Sequence, residues 1–223
     1  MTDFFKSLAK STLPAFTTLA VDGKSSSEFE SYIDTGSFLL NAALGGSLFA
    51  GMPNNKITTF AGDPATGKTF FVLGIAKRWL DDNPDGGVVY FDTESAVTNQ
   101  MLTAQGIDLK RVVKVEPETI EQFRQTALAI LDQYAEVPEN ERQPMLMILD
   151  SLGNMSSSKE TTDIRDEKDT RDMTKPGLIR GTFRVLRLRL AKLAVPLIVT
   201  NHVYDQIGAY VPTKIMSGGA GVV

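Results

Sequence analysis

The chain has 223 residues, a formal net charge of −4 and no cysteine. This length suits one α/β domain with a sizeable core, and the lack of cysteine excludes a disulfide framework and gives no support to a secreted location. No apolar run approaches the roughly 20 residues of a membrane-spanning helix, and the N-terminus lacks the apolar core of a signal peptide. The composition therefore predicts a soluble, cytoplasmic protein without a membrane partner. The negative charge argues only weakly against nucleic-acid binding, which depends on local charge.

Two parts of the chain differ in composition. Residues 1–30 are polar, rich in serine and weakly patterned, which fits either an arm that docks on a partner subunit or a disordered tail. From residue 31 onward, glycines separate apolar segments. The sequence therefore predicts an N-terminal arm, residues 1–30, and one core domain, residues 31–223.

Within the core domain, apolar runs rich in β-branched residues alternate with segments of helical periodicity. Predicted strands cover residues 54–62, 86–95, 111–117, 144–151 and 195–202, and predicted helices cover residues 68–84 and 119–136. A capping box of Thr119 and Gln122 opens the second helix. This alternation predicts an α/β fold with a mostly parallel, doubly wound sheet and helices on both faces.

The segment "GDPATGKT" matches the phosphate-binding pattern G-x-x-x-x-G-K-[ST] without a gap. It lies between a predicted strand and a predicted helix, which is the context that this pattern requires. Its backbone N–H groups would surround an anion, Lys68 would reach the β- and γ-phosphates, and Thr69 would bind Mg²⁺. The predicted nucleotide-binding residues are Gly62, Asp63, Pro64, Ala65, Thr66, Gly67, Lys68 and Thr69.

Polar side chains end three other predicted strands, at the edge of the sheet where α/β proteins bind ligands. Asp150 ends "MLMILD" and is predicted to support Mg²⁺ together with Thr69. Glu94 follows "VVYFD", either to orient a water for attack on the γ-phosphate or as a solvated strand end, and Asp92 is expected to point towards the same edge. His202, the single histidine, ends "LIVTNH", where it either senses the γ-phosphate or is an ordinary core or surface residue.

A basic segment precedes the last predicted strand. Residues 175–192 include six basic and no acidic side chains, and Arg180, Arg184 and Arg187 would form one stripe on a helix. Such a stripe either binds backbone phosphates or is a solvated amphipathic face. Before it, residues 156–172 are predicted from their mixed charges to form a flexible loop, and residues 216–221, "MSGGAG", form a second flexible stretch.

Taken in this order, these motifs resemble the RecA family of DNA recombinases and, within it, the phage-type UvsX branch. The resemblance runs from about Tyr32 to the last residue. It rests on "DTGSFLLNAALGG", "GDPATGKT", "YFDTES", "ILDSLGNMSSSKET", "DMTKPGLIRGTFR", "TNH" and "MSGGAG". The first phosphate motif is shared with a vast class of proteins, but the whole series in this order is specific.

The resemblance implies a RecA-like core that uses ATP and Mg²⁺. Glu94 matches the catalytic glutamate of the family, Lys68 would neutralise phosphate charge, and His202 would report the nucleotide state to the DNA-binding loops. Residues 154–176 and 203–221 match those two loops. The implied DNA-binding residues are Lys175, Arg180, Arg184, Gly218 and Gly219.

The implied function is ATP-dependent homologous recombination, with a filament on single-stranded DNA that pairs with double-stranded DNA and promotes strand exchange. The implied partners are DNA, further copies of the chain and a loading or mediator protein, and a phage-encoded protein would act in the host cell cytoplasm. Two alternatives remain at this point. One is a ring-forming helicase motor of the same superfamily, and the other is a fragment that binds nucleotide and DNA without turnover.

One departure from the family concerns the end of the sequence. In the family, the sheet continues past the second loop with strands that flank the strand feeding the phosphate loop, whereas this sequence stops at Val223. We therefore expect strand 54–62 to lie at an uncovered apolar edge, which is an aggregation hazard. We interpret the chain as part of a longer protein, and an intact mass of 24.3 kDa for the native protein would refute that interpretation.

Overall fold

The computed structural model describes residues 28, 31–168, 172–205 and 214–216. The predicted N-terminal arm, apart from Glu28, therefore lies outside the described residues, as do Gly218 and Gly219. Among the helices of the described ranges, none is long and apolar enough to cross a membrane.

The strands are short and most precede a helix. They are β1 (Tyr32–Ile33), β2 (Met52–Pro53), β3 (Ile57–Gly62), β4 (Gly87–Asp92), β5 (Val112–Val115), β6 (Met145–Asp150), β7 (Leu197–Asp205) and β8 (Lys214–Met216). The helices are α1 (Phe38–Gly45), α2 (Lys68–Asp82), α3 (Asn99–Ala104), α4 (Ile120–Glu136), α5 (Ser158–Arg165) and α6 (Lys175–Lys192). The five predicted strands and both predicted helices are present, with bounds within a few residues of the expected ones.

The main sheet has the strand order β3-β7-β6-β4-β5, with all of these strands parallel. β8 pairs antiparallel with the end of β7, and β1 and β2 form a separate antiparallel pair. The register places Gly62 opposite His202 and Asp92 opposite Asp150, so the carboxyl ends of the strands meet at one edge. The predicted parallel sheet is confirmed, and β3 lies at an edge of the described sheet, as expected.

Helices cover both faces of the sheet because successive side chains of a buried strand point to opposite faces. On one face, α4 and α6 pack on the side chains of Phe91, Leu149 and Val199. On the other face, α2 packs on Tyr90 and Ile148. Both layers are closed apolar clusters, which explains why β4 and β6 are near-continuous apolar runs in the sequence.

The predicted capping box of α4 is present only in part. Thr119 Oγ1 accepts a hydrogen bond from the backbone N–H of Gln122 at 3.2 Å, as expected of an N-cap. The Gln122 side chain, however, accepts from the backbone N–H of Glu118 at 2.8 Å, one residue before the cap. Side chains therefore bind one backbone N–H before the N-cap and one after it, which is a variant of the predicted capping box.

Candidate functional site

The predicted phosphate loop joins the end of β3 to the start of α2. The loop needs left-handed backbone at two positions, with φ of 60° at Ala65 and 82° at Gly67. A Cβ on Gly62 would lie 3.2 Å from Thr66 Oγ1, so this glycine permits a tight turn. Since the first N–H groups of a helix have no intrahelical acceptor, the start of α2 presents donors and a positive dipole end to an anion. The local geometry fits a phosphate cradle.

Lys68 lies across the mouth of this loop. Its Nζ donates to the backbone oxygens of Gly62 at 3.1 Å and Asp63 at 2.8 Å. The same nitrogen lies 3.4 Å from Nδ1 of His202, because Gly62 and His202 are paired in neighbouring strands. The ammonium group is therefore already at the cradle, held by neutral acceptors that a phosphate oxygen can replace.

Glu94 lies two residues beyond β4, and two donors share one of its oxygens. Oε1 accepts from Ser151 Oγ at 2.7 Å and lies 3.0 Å from His202 Nε2. One ring nitrogen of His202 therefore contacts Lys68 and the other contacts Glu94, so the imidazole connects the two charged groups. Partial burial raises the pKa of Glu94, but the hydrogen bonds from Ser151 and His202 and the charges of His202 and Lys68 outweigh it, so the net pKa lies below the ordinary value. Glu94 is therefore ionised at neutral pH.

Asp150 is buried at the end of β6, and each of its carboxylate oxygens accepts a hydroxyl. Tyr90 OH donates to Oδ2 at 2.6 Å, and Thr200 Oγ1 donates to Oδ1. Burial, followed by the negative charge of Asp150, raises the pKa of Tyr90 far above its ordinary value. Tyr90 therefore remains a donor at any physiological pH.

The donor set fits Mg²⁺. Hydroxyl and carboxylate oxygens, as in Thr69 and Asp150, are ligands that Mg²⁺ prefers, and the two hydroxyls use only part of the roughly four acceptor sites of a carboxylate. The described residues contain no group of three or more histidine, aspartate or glutamate side chains that could hold a metal by themselves.

Asp92 lies at this edge, opposite Asp150, but its contacts differ from those of Glu94. Its buried carboxylate accepts from the backbone N–H of Ala96 at 3.1 Å and of Val97 at 3.0 Å. Lys114 Nζ lies 3.4 Å from the same carboxylate and donates to the Val97 oxygen at 2.6 Å. Asp92 therefore anchors the loop that follows Glu94, because a carboxylate enclosed by backbone donors is stabilised in place.

The basic segment forms α6, as the stripe pattern predicted. Its apolar face, Ile179, Phe183, Leu186 and Leu190, is buried against the sheet, while Arg180, Arg184 and Arg187 are exposed. The first basic residue differs from the others, because Lys175 Nζ pairs with Glu160 Oε2 at 3.1 Å and its side chain is only 24% exposed. The structure therefore brings Arg180 and Arg184 to the surface together and holds Lys175 in a partly buried ion pair.

The prediction of a flexible loop over residues 156–172 is wrong for the described part. Residues Ser158–Arg165 form α5, opened by a capping box between Ser157 and Glu160. The buried Asp172 accepts from Ser157 Oγ and from the backbone N–H and hydroxyl of Thr174, which ties α5 to α6. Composition obscured the S-x-x-E signal at Ser157, which predicts a helix start.

Comparison with known proteins decides the family. The family model of the RecA N-terminal domain matches residues 15–221. The chain belongs to the RecA family. It is 29% identical over 183 residues to the "Recombination and repair protein" of Enterobacteria phage T4, covering 82% of this chain and 45% of that protein. It is 28% identical over 189 residues to "Protein RecA" of Malacoplasma penetrans, covering 84% of this chain and 53% of that protein.

The chain therefore spans about half the length of these two RecA-family relatives. Both the family resemblance and its phage side, inferred from the motif series, are confirmed by these matches. The RecA-like core explains why the phosphate loop, Glu94, Asp150 and His202 converge, since all four lie on or directly after strands of one parallel sheet.

Three residues of this RecA-family site were missed by sequence reasoning. Ser151 directly follows Asp150, so its place at the strand end was a usable signal. Tyr90 and Thr200 lie within apolar runs, so the sequence around them indicates only positions inside a strand. Their roles depend on partners 60 and 50 residues away in the sequence, which no local pattern indicates.

Proposed function

We propose that this chain is the ATPase core of a homologous-recombination protein that forms filaments on single-stranded DNA and promotes strand exchange. The observation that carries the proposal is the continuous series of contacts from Lys68 through His202 and Glu94 to Ser151. It joins a phosphate cradle to an ionised carboxylate at the one edge of the sheet where both are needed.

In this proposal, the backbone N–H groups of residues 62–69 bind the phosphates of ATP. Lys68 exchanges the backbone oxygens of Gly62 and Asp63 for β- and γ-phosphate oxygens, which neutralises charge. Thr69 and Asp150 would hold Mg²⁺, which would neutralise further negative charge on the phosphate oxygens. Glu94 orients the water for in-line attack, because its carboxylate is ionised and fixed on one side.

His202 couples hydrolysis to DNA in this proposal. A phosphate that draws Lys68 away removes the partner of Nδ1, so the imidazole is free to change its contacts. His202 lies on β7, whose next residues pair with β8, as in Val203 opposite Met216. A displacement at His202 is therefore passed along β7 towards the segment that follows it.

DNA contacts in this proposal are mainly to backbone phosphates. Arg180 and Arg184 present guanidinium groups on the exposed side of α6, and Lys175 joins them only after leaving Glu160. Gly218 and Gly219 would approach the DNA closely from the second loop. Further copies of the chain, double-stranded DNA during exchange and a loading protein complete the proposed set of partners.

The experiment measures ATP hydrolysis with and without single-stranded DNA for the wild type, Lys68→Ala and Glu94→Gln. We expect stimulation by DNA, with turnover reduced to a small residual rate in both variants. Lys77→Ala and Glu116→Gln are the matched controls, because both side chains pair on the surface, with Asp81 and Lys114 respectively. Nucleotide binding without turnover would contradict the ATPase activity of this chain and leave a binding role.

Two further measurements separate the remaining alternatives. Electron microscopy that showed closed rings instead of filaments would favour a helicase motor. DNA affinity should fall steeply with salt concentration, by a power of roughly 0.7 per phosphate contact on single strands. A flat salt response would contradict phosphate contacts by Arg180 and Arg184.

A further inference from the structure

The carboxylate of Glu94 is held on one side only. Oε1 accepts from both Ser151 Oγ and His202 Nε2, whereas no donor among the described residues reaches Oε2. The Glu94 side chain is 30% exposed, so solvent reaches part of it. A carboxylate that orients a water needs this asymmetry, with one oxygen fixed and the other available as an acceptor.

The two donors to Oε1 differ in what else they contact. His202 also contacts Lys68, whose place is at the phosphates, so its contact with Glu94 depends on the nucleotide state. Ser151 is 1% exposed and contacts neither Lys68 nor the phosphate loop in the described structure. Of the two donors, only Ser151 is therefore independent of the nucleotide.

Ser151 is itself fixed by the residue that precedes Glu94. Its backbone N–H donates to Thr93 Oγ1 at 2.8 Å, and the Thr93 hydroxyl donates to the Ser151 backbone oxygen at 2.7 Å. The backbone N–H of Thr93 also donates to the Asp150 backbone oxygen at 2.8 Å. These bonds join the ends of β4 and β6, so the distance between Ser151 and Glu94 is set by the sheet and not by a mobile loop.

We propose that Ser151 is a positioning residue whose hydroxyl anchors Oε1 of Glu94 and leaves Oε2 directed at the attacking water. This inference rests on the proposed nucleotide hydrolysis. Ser151 is buried and its hydroxyl donates to Glu94, so it acts through Glu94. His202 then adds a second contact to the same oxygen that varies with the nucleotide, while the anchor stays in place throughout the cycle.

The kinetic test compares the wild type with Ser151→Ala. We expect kcat to fall about tenfold, because small errors in the placement of a catalytic group cost this much or more. The Kd of a fluorescent ATP analogue should stay within about twofold, since the phosphate loop is untouched. Ser37→Ala is the control for loss of a serine hydroxyl, because Ser37 caps α1 and should not alter kcat.

A double-mutant cycle separates positioning from a general structural role. If Ser151 acts through Glu94, then Ser151→Ala has no further effect on the residual rate of Glu94→Gln. An equal fall in kcat in both backgrounds would overturn the proposal, and so would an unchanged kcat in the single variant.

A measurement without nucleotide distinguishes this inference from the proposed function. Lys68, His202 and Tyr90 are the other titratable groups that interact with Glu94, and all of them remain in Ser151→Ala. Loss of a hydrogen bond to the ionised form should raise the pKa of Glu94, measured by ¹³C NMR with Glu94→Gln for assignment. If the wild type hydrolysed no ATP, the proposed function would fail, whereas a raised pKa would still support the anchor. An unchanged pKa would overturn the anchor in either case.

Discussion

Replacement of Tyr90 by phenylalanine tests the hydroxyl contacts that hold Asp150. Tyr90 is 1% exposed, and its hydroxyl donates to Asp150 Oδ2 at 2.6 Å. A hydrogen bond to a charged group contributes about 1.5–3 kcal/mol, and the phenylalanine ring leaves almost no cavity. Because Asp150 keeps its bond from Thr200, we expect a loss of about 2 kcal/mol in the free energy of unfolding, or roughly 4–8 °C in Tm.

The difference in the free energy of unfolding between wild type and Tyr90→Phe should depend on pH, and this dependence is the sharper test. Burial and the charge of Asp150 raise the pKa of Tyr90, so the folded chain keeps this proton where an unfolded tyrosine, with a pKa of about 10, loses it. The contribution of Tyr90 is therefore fully present below about pH 10 and is lost as the pH rises, by up to about 1.4 kcal/mol per pH unit. Phenylalanine cannot ionise, so the difference in the free energy of unfolding between wild type and variant should decrease above about pH 10.

Urea unfolding at pH 7, 9 and 11 measures both effects, with the single, buried Trp79 as the fluorescent probe. Tyr204→Phe is the matched control, because Tyr204 is 48% exposed and should change stability by less than about 0.5 kcal/mol. Burial also raises the pKa of Tyr134, but Tyr134 is present in every variant, so its contribution to the pH dependence cancels in the comparison. A difference in the free energy of unfolding near zero at pH 7 would refute the contribution of the Tyr90 hydroxyl. A difference as large at pH 11 as at pH 7 would refute the raised pKa of Tyr90.

Three further changes have expected outcomes. Thr182→Val should raise the free energy of unfolding by about 1 kcal/mol in urea titrations, because the hydroxyl is buried without a partner among the described residues; a decrease would reveal a partner. Asp172→Asn should speed hydrogen exchange in residues 158–165, and unchanged exchange in this variant would argue against the tie between α5 and α6. Acid should speed the same exchange in the wild type. Hydrogen bonds from Ser157 and Thr174 hold the pKa of Asp172 below its ordinary value, so the stabilisation by Asp172 is present above about pH 4 and is lost as the pH falls. Glu160→Gln releases Lys175 and should therefore tighten single-stranded DNA binding several-fold. The plot of log affinity against log salt concentration should become steeper by the equivalent of about one phosphate contact. An unchanged slope of that plot would contradict the release of Lys175.

Much of the fold could be predicted because it depends on local patterns. The apolar runs of β4 and β6 are buried on both faces, so each indicates a strand without knowledge of its neighbours. The phosphate loop is likewise contiguous, since all its donors lie within residues 62–69. Parallel pairing then requires that the strand ends share one edge, which is why Asp150 and His202 could be assigned to the site.

The arrangement of side chains at that edge depended on the tertiary structure. Asp92 and Glu94 are two residues apart and chemically alike, yet backbone donors enclose one while Ser151 and His202 hold the other. The decisive partners lie 57 and 108 residues from Glu94, so only the packing of separate strands brings them together. Sequence by itself determined the sheet, the phosphate loop and the family; the tertiary structure decided that Glu94, and not Asp92, contacts Ser151 and His202, because hydrogen bonds depend on distances that the chain acquires only on folding.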